Sequence, residues 1–500
     1  MKRWKGSPQS ILLGIALMMS LAVLPTISGC VSDPESPLSR VLNVVGHGVP
    51  LSKQAARELE RFEDVYQKYV SSLDEDQFDY FVFAYRQIRA NYVHKIPDAD
   101  LIDAAIEGVE ATEIEPGMME PAKLVEAALD AMAASLDPHT AYMNGEEYRE
   151  SFVRIKGEFG GLGIEVTMQD GFVKVVSPIE DTPAARSDLK SGDLITHVDG
   201  DPIKGKTLGQ AVKKMRGKPG TDIALKIHRV GVDDFVVSIT RAIITVRAVK
   251  WRMEGDIGYV RVSAFTEPME DGIIKAFQSL RAEYGRDPKG IVLDLRNNPG
   301  GLLDQSVILS DAFLEEGEIV SVRGRHSHSS SSFTAEPGDL ANGVPIVLLI
   351  NGGSASASEI VASALKHHKR AIIMGRQSFG KGSVQSIMAL PIDGALKLTT
   401  AMYYGPDGKT LQAHGVAPDI ILEVEKTENE PVVKGRKEAD NPKALAALSS
   451  EMKGKQSKIS ISMCEEIGER KDKELGCAIS YLHAISPAKF IEEHAINQNM

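Results

Sequence analysis

Hydrophobic positions between residues 53 and 155 recur at intervals of three and four. Phe78, Val82, Tyr85 and Ile88 follow this spacing, which places their side chains on one face of a helix. Runs of β-branched residues are scarce in the same stretch. The pattern therefore predicts a helical N-terminal domain over residues 53–155.

The apolar period shortens between residues 156 and 242, where short runs are separated by glycine-containing turns. Such runs are typical of small β-strands. The segments with this pattern are 172–176, 193–198, 224–228 and 235–239, and a short helix fits at 207–215. We therefore expect residues 156–242 to form a compact β-rich domain.

Residues 243–422 alternate between short apolar runs and longer helical patterns. The apolar runs are 259–262, 291–295, 346–350 and 371–374, and the helical patterns are 268–283, 302–315 and 356–369. This alternation is typical of an α/β layer with a buried, largely parallel sheet. The predicted fold class is multidomain α/β, an α/β core with an inserted β-rich domain and a helical N-terminal region. Residues 423–500 are polar and weakly patterned, with a helical piece near 474–483.

The extreme N-terminus has the form of an export signal. Lys2, Arg3 and Lys5 precede an apolar stretch from Ile11 to Leu24. This stretch is shorter than the roughly 20 residues that a transmembrane helix needs. The sequence therefore predicts a cleaved signal and no membrane-spanning bundle.

The signal ends in the letters PTISGC, which resemble a bacterial lipoprotein box. Small residues before Cys30 allow a signal peptidase to approach the backbone, and the thiol of Cys30 accepts the lipid. We expect residues 1–29 to be a lipoprotein signal peptide and residues 30–52 to be a flexible tether. The alternative is an ordinary secretory signal with a chance cysteine. Val31 resembles outer-membrane sorting, so we expect a periplasmic protein anchored by lipid to the outer membrane.

Composition and charge exclude several classes of protein. The formal net charge is -12 and basic runs are missing, which makes DNA or RNA a poor partner. Three cysteines in 500 residues exclude a disulfide scaffold and a Cys-rich zinc module. Cys464 and Cys477 either pair in an oxidising compartment or stay free, because spacing alone decides nothing. His326 and His328 lie in a Ser-rich stretch that we interpret as a mobile surface loop.

The first candidate for chemistry is the segment NGGSASASE, which follows the apolar run 346–350 and opens a helix. Ser356 in this position sits at the edge of the sheet where α/β active sites lie. Backbone N–H groups at a helix start stabilise an oxyanion. The alternative is structural, since Ser356 and Glu359 have the spacing of a capping box.

The second candidate is the segment FGKGSVQ. Lys381 lies between two glycines just before an apolar run, and a lysine in a tight, partly apolar place loses its proton readily. A neutral amine beside a serine hydroxyl is a general base. Gln385, four residues on, shares a face with Lys381 in a regular strand or helix and would orient its nitrogen. The alternative is a surface lysine in a turn.

The third candidate is the segment DLRNNPGG, a strand end followed by a turn. Gly300 and Gly301 allow the backbone to approach a ligand closely and to present N–H groups to it. A simple strand-to-helix connection explains the same letters.

These three segments, in this order, resemble the motifs of the carboxyl-terminal processing proteases, also called tail-specific proteases. The segments SLDPHTAYM and ALKLTTAMYYGPDGKTLQAHGVAPDI match as well, so the likeness covers about residues 85–420. The resemblance implies a serine endopeptidase with a catalytic lysine and no metal, nucleotide or other cofactor. The roles it implies are nucleophile, base, supporting amide and oxyanion hole, carried by Ser356, Lys381, Gln385, Ala357 and Gly300 or Gly301.

The β-rich domain then resembles a PDZ domain. Its carboxylate-binding loop is Gly161, Leu162, Gly163 and Ile164, and a peptide with a free C-terminus adds to such a sheet as a strand. Arg216 either relays occupancy of this domain to the active site or is an ordinary surface charge.

The resemblance implies protein or peptide substrates bound through their C-termini. It leaves open an adaptor lipoprotein and a homodimer formed through the N-terminal helices. Two other functions fit the sequence less well. A catalytically inactive PDZ scaffold is disfavoured by the intact serine, lysine and glutamine. A Ser-His-Asp hydrolase using His139 or His414 with Asp294 is disfavoured because neither histidine lies in a matching motif.

Overall fold

The computed structural model describes residues 51–179, 181–245, 247–326, 330–423, 437–446, 456–468, 471–484 and 486–494. The expected signal peptide, Cys30, nearly all of the expected tether and His328 lie outside these residues. Among the described helices, none combines the length and apolar character that a membrane crossing requires.

Four helices begin the described chain: α1 Lys53–Tyr69, α2 Glu75–Asn91, α3 Asp98–Glu110 and α4 Pro121–Leu136. Side-chain caps fix where two of them start. The Ser52 hydroxyl accepts the N–H of Ala55 at 3.1 Å, and the Asp74 carboxylate accepts the N–H of Gln77 at 3.1 Å. Such caps satisfy donors that a helix start leaves unpaired. Strand β1 Ala141–Met143 and helix α5 Gly145–Ile155 follow.

The β-rich domain contains β2 Glu158–Gly161, β3 Ile164–Gln169, β4 Phe172–Pro178, β5 Leu194–Val198, β6 Asp201–Pro202, α6 Leu208–Met215, β7 Asp222–Arg229, β8 Val232–Thr240 and β9 Ala242–Thr245. Its described sheet has the order β3-β4-β5-β7-β8, with β6 beside β5. β2 and β9 pair antiparallel where the chain enters and leaves the domain. Val173, Ile195 and Ile227 are fully buried in its own small core.

The core of the molecule runs through β10 Val249–Glu254, β11 Ile257–Val262, α7 Met269–Tyr284, β12 Gly290–Asp294, α8 Leu303–Asp311, β13 Glu318–Gly324, β14 Ser330–Thr334, β15 Ile346–Ile350, α9 Ala357–His367, β16 Ala371–Gly375, β17 Ser383–Ala389, β18 Ala395–Tyr404, β19 Ile420–Glu423, β20 Ser457–Ser460, α10 Lys473–His483 and α11 Pro487–His494. The predicted combination of an α/β core, a small β-rich domain and N-terminal helices is confirmed.

The main sheet has the described order β10-β11-β12-β15-β16-β19-β20. Only the β10–β11 pair is antiparallel among these strands. Every residue of β12 and β15 is buried, because helices cover both faces. α7, α8 and α9 pack on one face, and α10 and α11 pack on the other. The helices are placed as in other parallel sheets, whose strands are buried on both sides.

A second, antiparallel sheet has the order β1-β18-β13-β14, with β17 also pairing with β18. Leu396, Leu398 and Met402 of β18 share one hydrophobic cluster with α1 to α4. The N–H of Val93 also donates to the carbonyl oxygen of Thr399 at 2.9 Å. The N-terminal helices therefore support the sheet that carries the segment after Lys381.

The C-terminal region contributes more than its weak pattern indicated. Strand β20 extends the main sheet, and Cys464 forms a disulfide with Cys477. Cys477 lies within α10, so this bond joins the helix to the segment that precedes it. A short 3-10 helix, Glu438–Asp440, lies beside the lysine segment.

The expected mobile loop around the serine run is partly wrong. Ser330–Thr334 forms β14, which pairs antiparallel with β13. Most of its side chains are exposed, and polar side chains suit a strand at a sheet edge because they discourage pairing with another molecule. A serine-rich composition is therefore compatible with a strand here.

Candidate active site

Ser356 occupies the sharp turn between β15 and α9. Its backbone has φ of 55° and ψ of -113°, a strained conformation for a residue other than glycine. Such strain costs about 1–3 kcal/mol and persists only where the surrounding structure enforces it. The residue is largely buried, with 8% of its surface exposed. Here the enforcing group is a neighbouring carboxylate.

Glu359 is fully buried on the first turn of α9. One carboxylate oxygen accepts the N–H of Ser356 at 2.7 Å and the N–H of Lys381 at 2.9 Å. The other accepts the N–H of Gly380 at 2.7 Å and the Ser378 hydroxyl at 2.5 Å. The capping spacing seen in the sequence therefore has a second purpose, because the same carboxylate joins the serine segment to the lysine segment. Burial raises the pKa of Glu359 to about 7, and its four hydrogen bonds oppose that rise.

Lys381 lies in a segment that two glycines allow to pack closely. A Cβ atom on Gly382 would come within 2.3 Å of the backbone nitrogen of Gln412, and Gly380 has φ of 97°. Burial lowers the pKa of Lys381 to about 8, and the positive charge of Lys397 acts in the same direction. Glu438, Glu359 and Asp137 oppose this shift. The lowered pKa increases the fraction of Lys381 side chains that are neutral amines near neutral pH.

Gln385 is placed by hydroxyl groups. Its amide nitrogen donates to Ser383 Oγ at 3.0 Å and to Thr399 Oγ1 at 3.1 Å. The Thr399 hydroxyl in turn donates to the carboxylate of Asp137 at 3.1 Å, as Thr140 does at 2.7 Å. Both amide hydrogens of Gln385 have acceptors, so its carbonyl oxygen is the atom left to accept a hydrogen bond from an amine.

The shared face that regular strand spacing predicts for Lys381 and Gln385 does not exist in the structure. The strand begins at Ser383, after Lys381, and has an irregularity between Val384 and Gln385. Regular alternation therefore does not run from Lys381 to Gln385, so a shared face cannot be inferred from their spacing. Gln385 instead owes its position to Thr399 and Ser383.

The turn after β12 lies directly against the serine. A Cβ atom on Gly300 would be 2.9 Å from Cβ of Ser356 and 3.1 Å from the nitrogen of Ala357. However, the N–H of Gly300 donates to the side chain of Asn298 at 2.9 Å. Among the described residues, the N–H groups of Gly301 and Ala357 have no protein acceptor. Of the two glycines named as alternatives from the sequence, Gly301 retains a free donor.

Asn298 and Arg296 hold this turn in place. The carbonyl oxygen of Asn298 accepts the N–H of Ala355 at 3.0 Å and the Ser358 hydroxyl at 2.9 Å. Arg296 donates to Asp294, Asp472 and Glu474. The last two residues belong to the C-terminal region, whose contribution to the site gave no signal in the sequence.

In the part of the chain that the structure describes, Asp294 does not pair with a histidine as a Ser-His-Asp triad requires. The hydrogen bonds of its carboxylate go to Tyr259, Arg261 and Arg296. His139 instead contacts Glu438, with its Nε2 2.9 Å from both carboxylate oxygens. Asp294 therefore has a structural role beneath the turn.

The β-rich domain has a cleft of about 180 Å³ beside its glycine loop. The cleft is lined by Phe159, Gly161, Leu162, Gly163, Ile164, Val166, Val212, Met215 and Arg216. The Arg216 guanidinium lies 4.5 Å from the ring centre of Phe159. The four predicted loop residues and Arg216 thus share one mostly apolar cleft, a form suited to an apolar side chain near a peptide's end.

Comparison with known proteins agrees with this architecture. The profile of Peptidase family S41 matches residues 256–422, and the profile of the PDZ domain matches residues 160–239. A carboxy-terminal-processing protease of Bartonella bacilliformis is 51% identical over 336 residues, which are 67% of this chain and 76% of that protein. Carboxy-terminal processing protease CtpA of Bacillus subtilis is 32% identical over 356 residues, 71% of each chain.

Among solved structures, a photosystem II D1 C-terminal processing protease matches with a TM-score of 0.44 and 27% identity, over 70% of this chain and 94% of that one. The identity to the Bartonella protein extends over most of both sequences. The chain therefore belongs to the carboxy-terminal-processing proteases of peptidase family S41, which are serine-type peptidases, and it carries a PDZ domain.

Proposed function

We propose that this peptidase cleaves periplasmic proteins near C-termini captured by its PDZ domain, with Ser356 as nucleophile and Lys381 as general base. The observation that carries the proposal is the shared carboxylate of Glu359. One of its oxygens binds the backbone nitrogens of both residues, at 2.7 Å and 2.9 Å. The backbone N–H groups of Ser356 and Lys381, which come from separate segments, thus donate to the same oxygen atom.

The reaction begins with attack of the Ser356 hydroxyl on a peptide carbonyl carbon. Lys381 takes the hydroxyl proton, which requires a neutral amine. A lysine whose pKa is lowered to about 8 by burial supplies that amine near neutral pH. Lys381 then returns the proton to the leaving amine, and water hydrolyses the acyl-enzyme. Gln385, held through Thr399 and Ser383, orients the amine through its carbonyl oxygen.

The tetrahedral intermediate carries a negative oxygen. The proposed donors to it are the N–H groups of Ala357 and Gly301, because the N–H of Gly300 is already bonded to Asn298. Removal of one oxyanion-hole donor raises the activation free energy of a serine peptidase by about 3–4 kcal/mol. The strained conformation of Ser356 brings its hydroxyl and the N–H of Ala357 to the same turn.

Substrate capture is assigned to the cleft at Gly161 to Ile164. A free carboxylate binds backbone N–H groups of such a loop, and an apolar last side chain fills the cleft. Arg216, at the edge of this cleft, is proposed to relay its occupancy to the peptidase core.

The proposed location and assembly are suggested by the N-terminal sequence and by the family resemblance. Lipidation of Cys30 would anchor the enzyme to the outer membrane from the periplasmic side, with residues 30–52 as the flexible tether. The disulfide between Cys464 and Cys477 is compatible with an oxidising compartment. An adaptor lipoprotein and a homodimer through the N-terminal helices are additional proposals.

The test is Ser356→Ala, assayed on an unfolded protein with a free, apolar C-terminus. We expect kcat/KM to fall by at least about 10⁴-fold, because the nucleophile is lost. Ser363→Ala is the matched control, since Ser363 lies on the same helix and is also buried. Substantial cleavage by Ser356→Ala, with folding intact, would overturn the proposal.

A further inference from the structure

A segment beyond the S41 match is docked against the catalytic lysine segment. The N–H of Glu438 donates to the carbonyl oxygen of Phe379 at 3.0 Å. Lys443 donates to the carbonyl oxygen of Ala134 at 3.1 Å. Gln412 donates to the carbonyl oxygen of Leu445 at 3.1 Å. Residues 437–446 are therefore fixed at both ends, between the end of α4 and the lysine segment.

Glu438 is fully buried within this segment. Its carboxylate contacts His139 Nε2 at 2.9 Å, Gln412 Nε2 at 3.3 Å and Asn441 Nδ2 at 3.2 Å. Burial acts to raise the pKa of Glu438, but the hydrogen bonds, first that of His139, lower it below the ordinary value. The group is therefore a carboxylate at neutral pH, and a buried charge of this kind requires partners.

Two sets of hydrogen bonds connect Glu438 to the backbone on either side of Lys381. Gln412 donates to Glu438 and accepts the N–H of Gly382 at 2.9 Å. Phe379, whose carbonyl oxygen binds the backbone of Glu438, lies on the other side of the lysine. The segment on both sides of Lys381 is thus held by contacts that include Glu438.

His139 links this arrangement to Gln385. Its backbone N–H donates to the Asp137 carboxylate at 2.8 Å, and the same carboxylate accepts the Thr399 hydroxyl that binds Gln385. The ring of His139 meanwhile contacts Glu438. The three-residue segment from Asp137 to His139 therefore supports both the proposed base and its proposed orienting amide.

We infer that Glu438, held by His139, is a positioning residue for Lys381 that also sets the balance between its ammonium and amine forms. The inference rests on the proposed function, in which Lys381 is the general base. Among the described residues, the charged groups that act most on Lys381 are Lys397 on β18, Glu359 on α9, Asp137 after α4, and Glu438. The negative charge of Glu438 favours the ammonium, whereas the positive charge of Lys397 favours the amine.

The test is Glu438→Gln, with kcat/KM measured from pH 6 to 10. Glutamine keeps the size of the side chain and removes its charge. Activity rises with pH as Lys381 loses its proton, so a less stable ammonium moves this rise to lower pH. We expect a shift of about half a unit to one unit. Asp440→Asn is the matched control, because Asp440 is exposed in the same segment, and it should leave the profile unchanged.

A second variant keeps the inference testable if Glu438→Gln does not fold. Lys397→Gln removes the opposing charge and should move the rise to higher pH. An unshifted profile in folded Glu438→Gln, or a uniform loss of activity at every pH, overturns the inference and leaves the base assignment intact. Wild-type activity in Lys381→Ala contradicts the proposed function itself.

Discussion

The PDZ domain and the peptidase core each present a site at a glycine-containing segment, but the two segments are held differently. In the PDZ domain, backbone and apolar side chains surround the cleft at Gly163. In the core, a buried carboxylate, Glu359, binds the segments of Ser356 and Lys381 together. A site held by packing loses one contact at a time. A site held by one shared charge loses several hydrogen bonds at once.

Of the two variants that test this comparison, Glu359→Gln in the peptidase core is expected to have the larger effect. An amide nitrogen cannot accept the N–H groups that one carboxylate oxygen now accepts, so the serine and lysine segments separate. We expect kcat/KM to fall at least about 100-fold, because small displacements of reacting groups have effects of that size. Unpaired donors should also lower the free energy of unfolding by about 1–3 kcal/mol.

Steady-state assays and urea unfolding measure these two effects. Glu283→Gln on α7 is the control, because its side chain is exposed and the same change there should have no effect. Equal activity in both variants would show that the shared carboxylate is dispensable, and the contrast between the two sites would then disappear.

A smaller effect is expected in the PDZ domain from Gly163→Ala. The added Cβ atom would come within 2.2 Å of Thr182 Cβ, at a residue with φ of 78°. We expect kcat/KM for a substrate with a free C-terminus to fall about tenfold, which corresponds to about 1.4 kcal/mol. Cleavage of the same substrate with an amidated C-terminus should change little, because it depends less on the carboxylate loop.

Gly231→Ala is the matched control for this variant. Gly231 lies in a hairpin turn of the same domain with φ of 81°, and no atom lies within 4 Å of its added Cβ. Both variants therefore have similar backbone strain, but only Gly163→Ala distorts the cleft. If both variants lower cleavage of the free and amidated substrates equally, the loop does not read the C-terminus.

Local sequence patterns predicted the elements of the core well. The run 346–350 coincides with β15, because strands buried on both faces need uninterrupted apolar residues. The glycines around Lys381 pointed to close packing of its backbone, which the structure has. The glycines and the apolar run beside Lys381 also indicated that its side chain is partly buried. Burial lowers the pKa of a lysine, so the direction of the pKa shift of Lys381 was predictable.

Contacts between residues far apart in the sequence could not be predicted. His139 and Glu438 are 299 positions apart. The weak pattern of residues 423–500 gave no reason to place Glu438 beside the lysine segment. The spacing of Ser356 and Glu359 indicated only a helix cap. The contacts of Glu359 with Gly380 and Lys381 could not be predicted, because they depend on how two separate segments meet. The pairing of Cys464 with Cys477 likewise depends on folding of the C-terminal region.

The most direct measurement follows phosphonylation of Ser356 by a serine-directed fluorophosphonate, in which the serine oxygen displaces fluoride from phosphorus, with the labelled peptide identified by mass spectrometry. This reaction needs the activated hydroxyl and does not depend on capture of a substrate tail. We predict labelling at Ser356 in the wild-type enzyme and a rate lower by about 10²–10⁴-fold in Lys381→Ala, the usual contribution of a general base. Labelling of folded Lys381→Ala at the wild-type rate would contradict activation of the serine by this lysine.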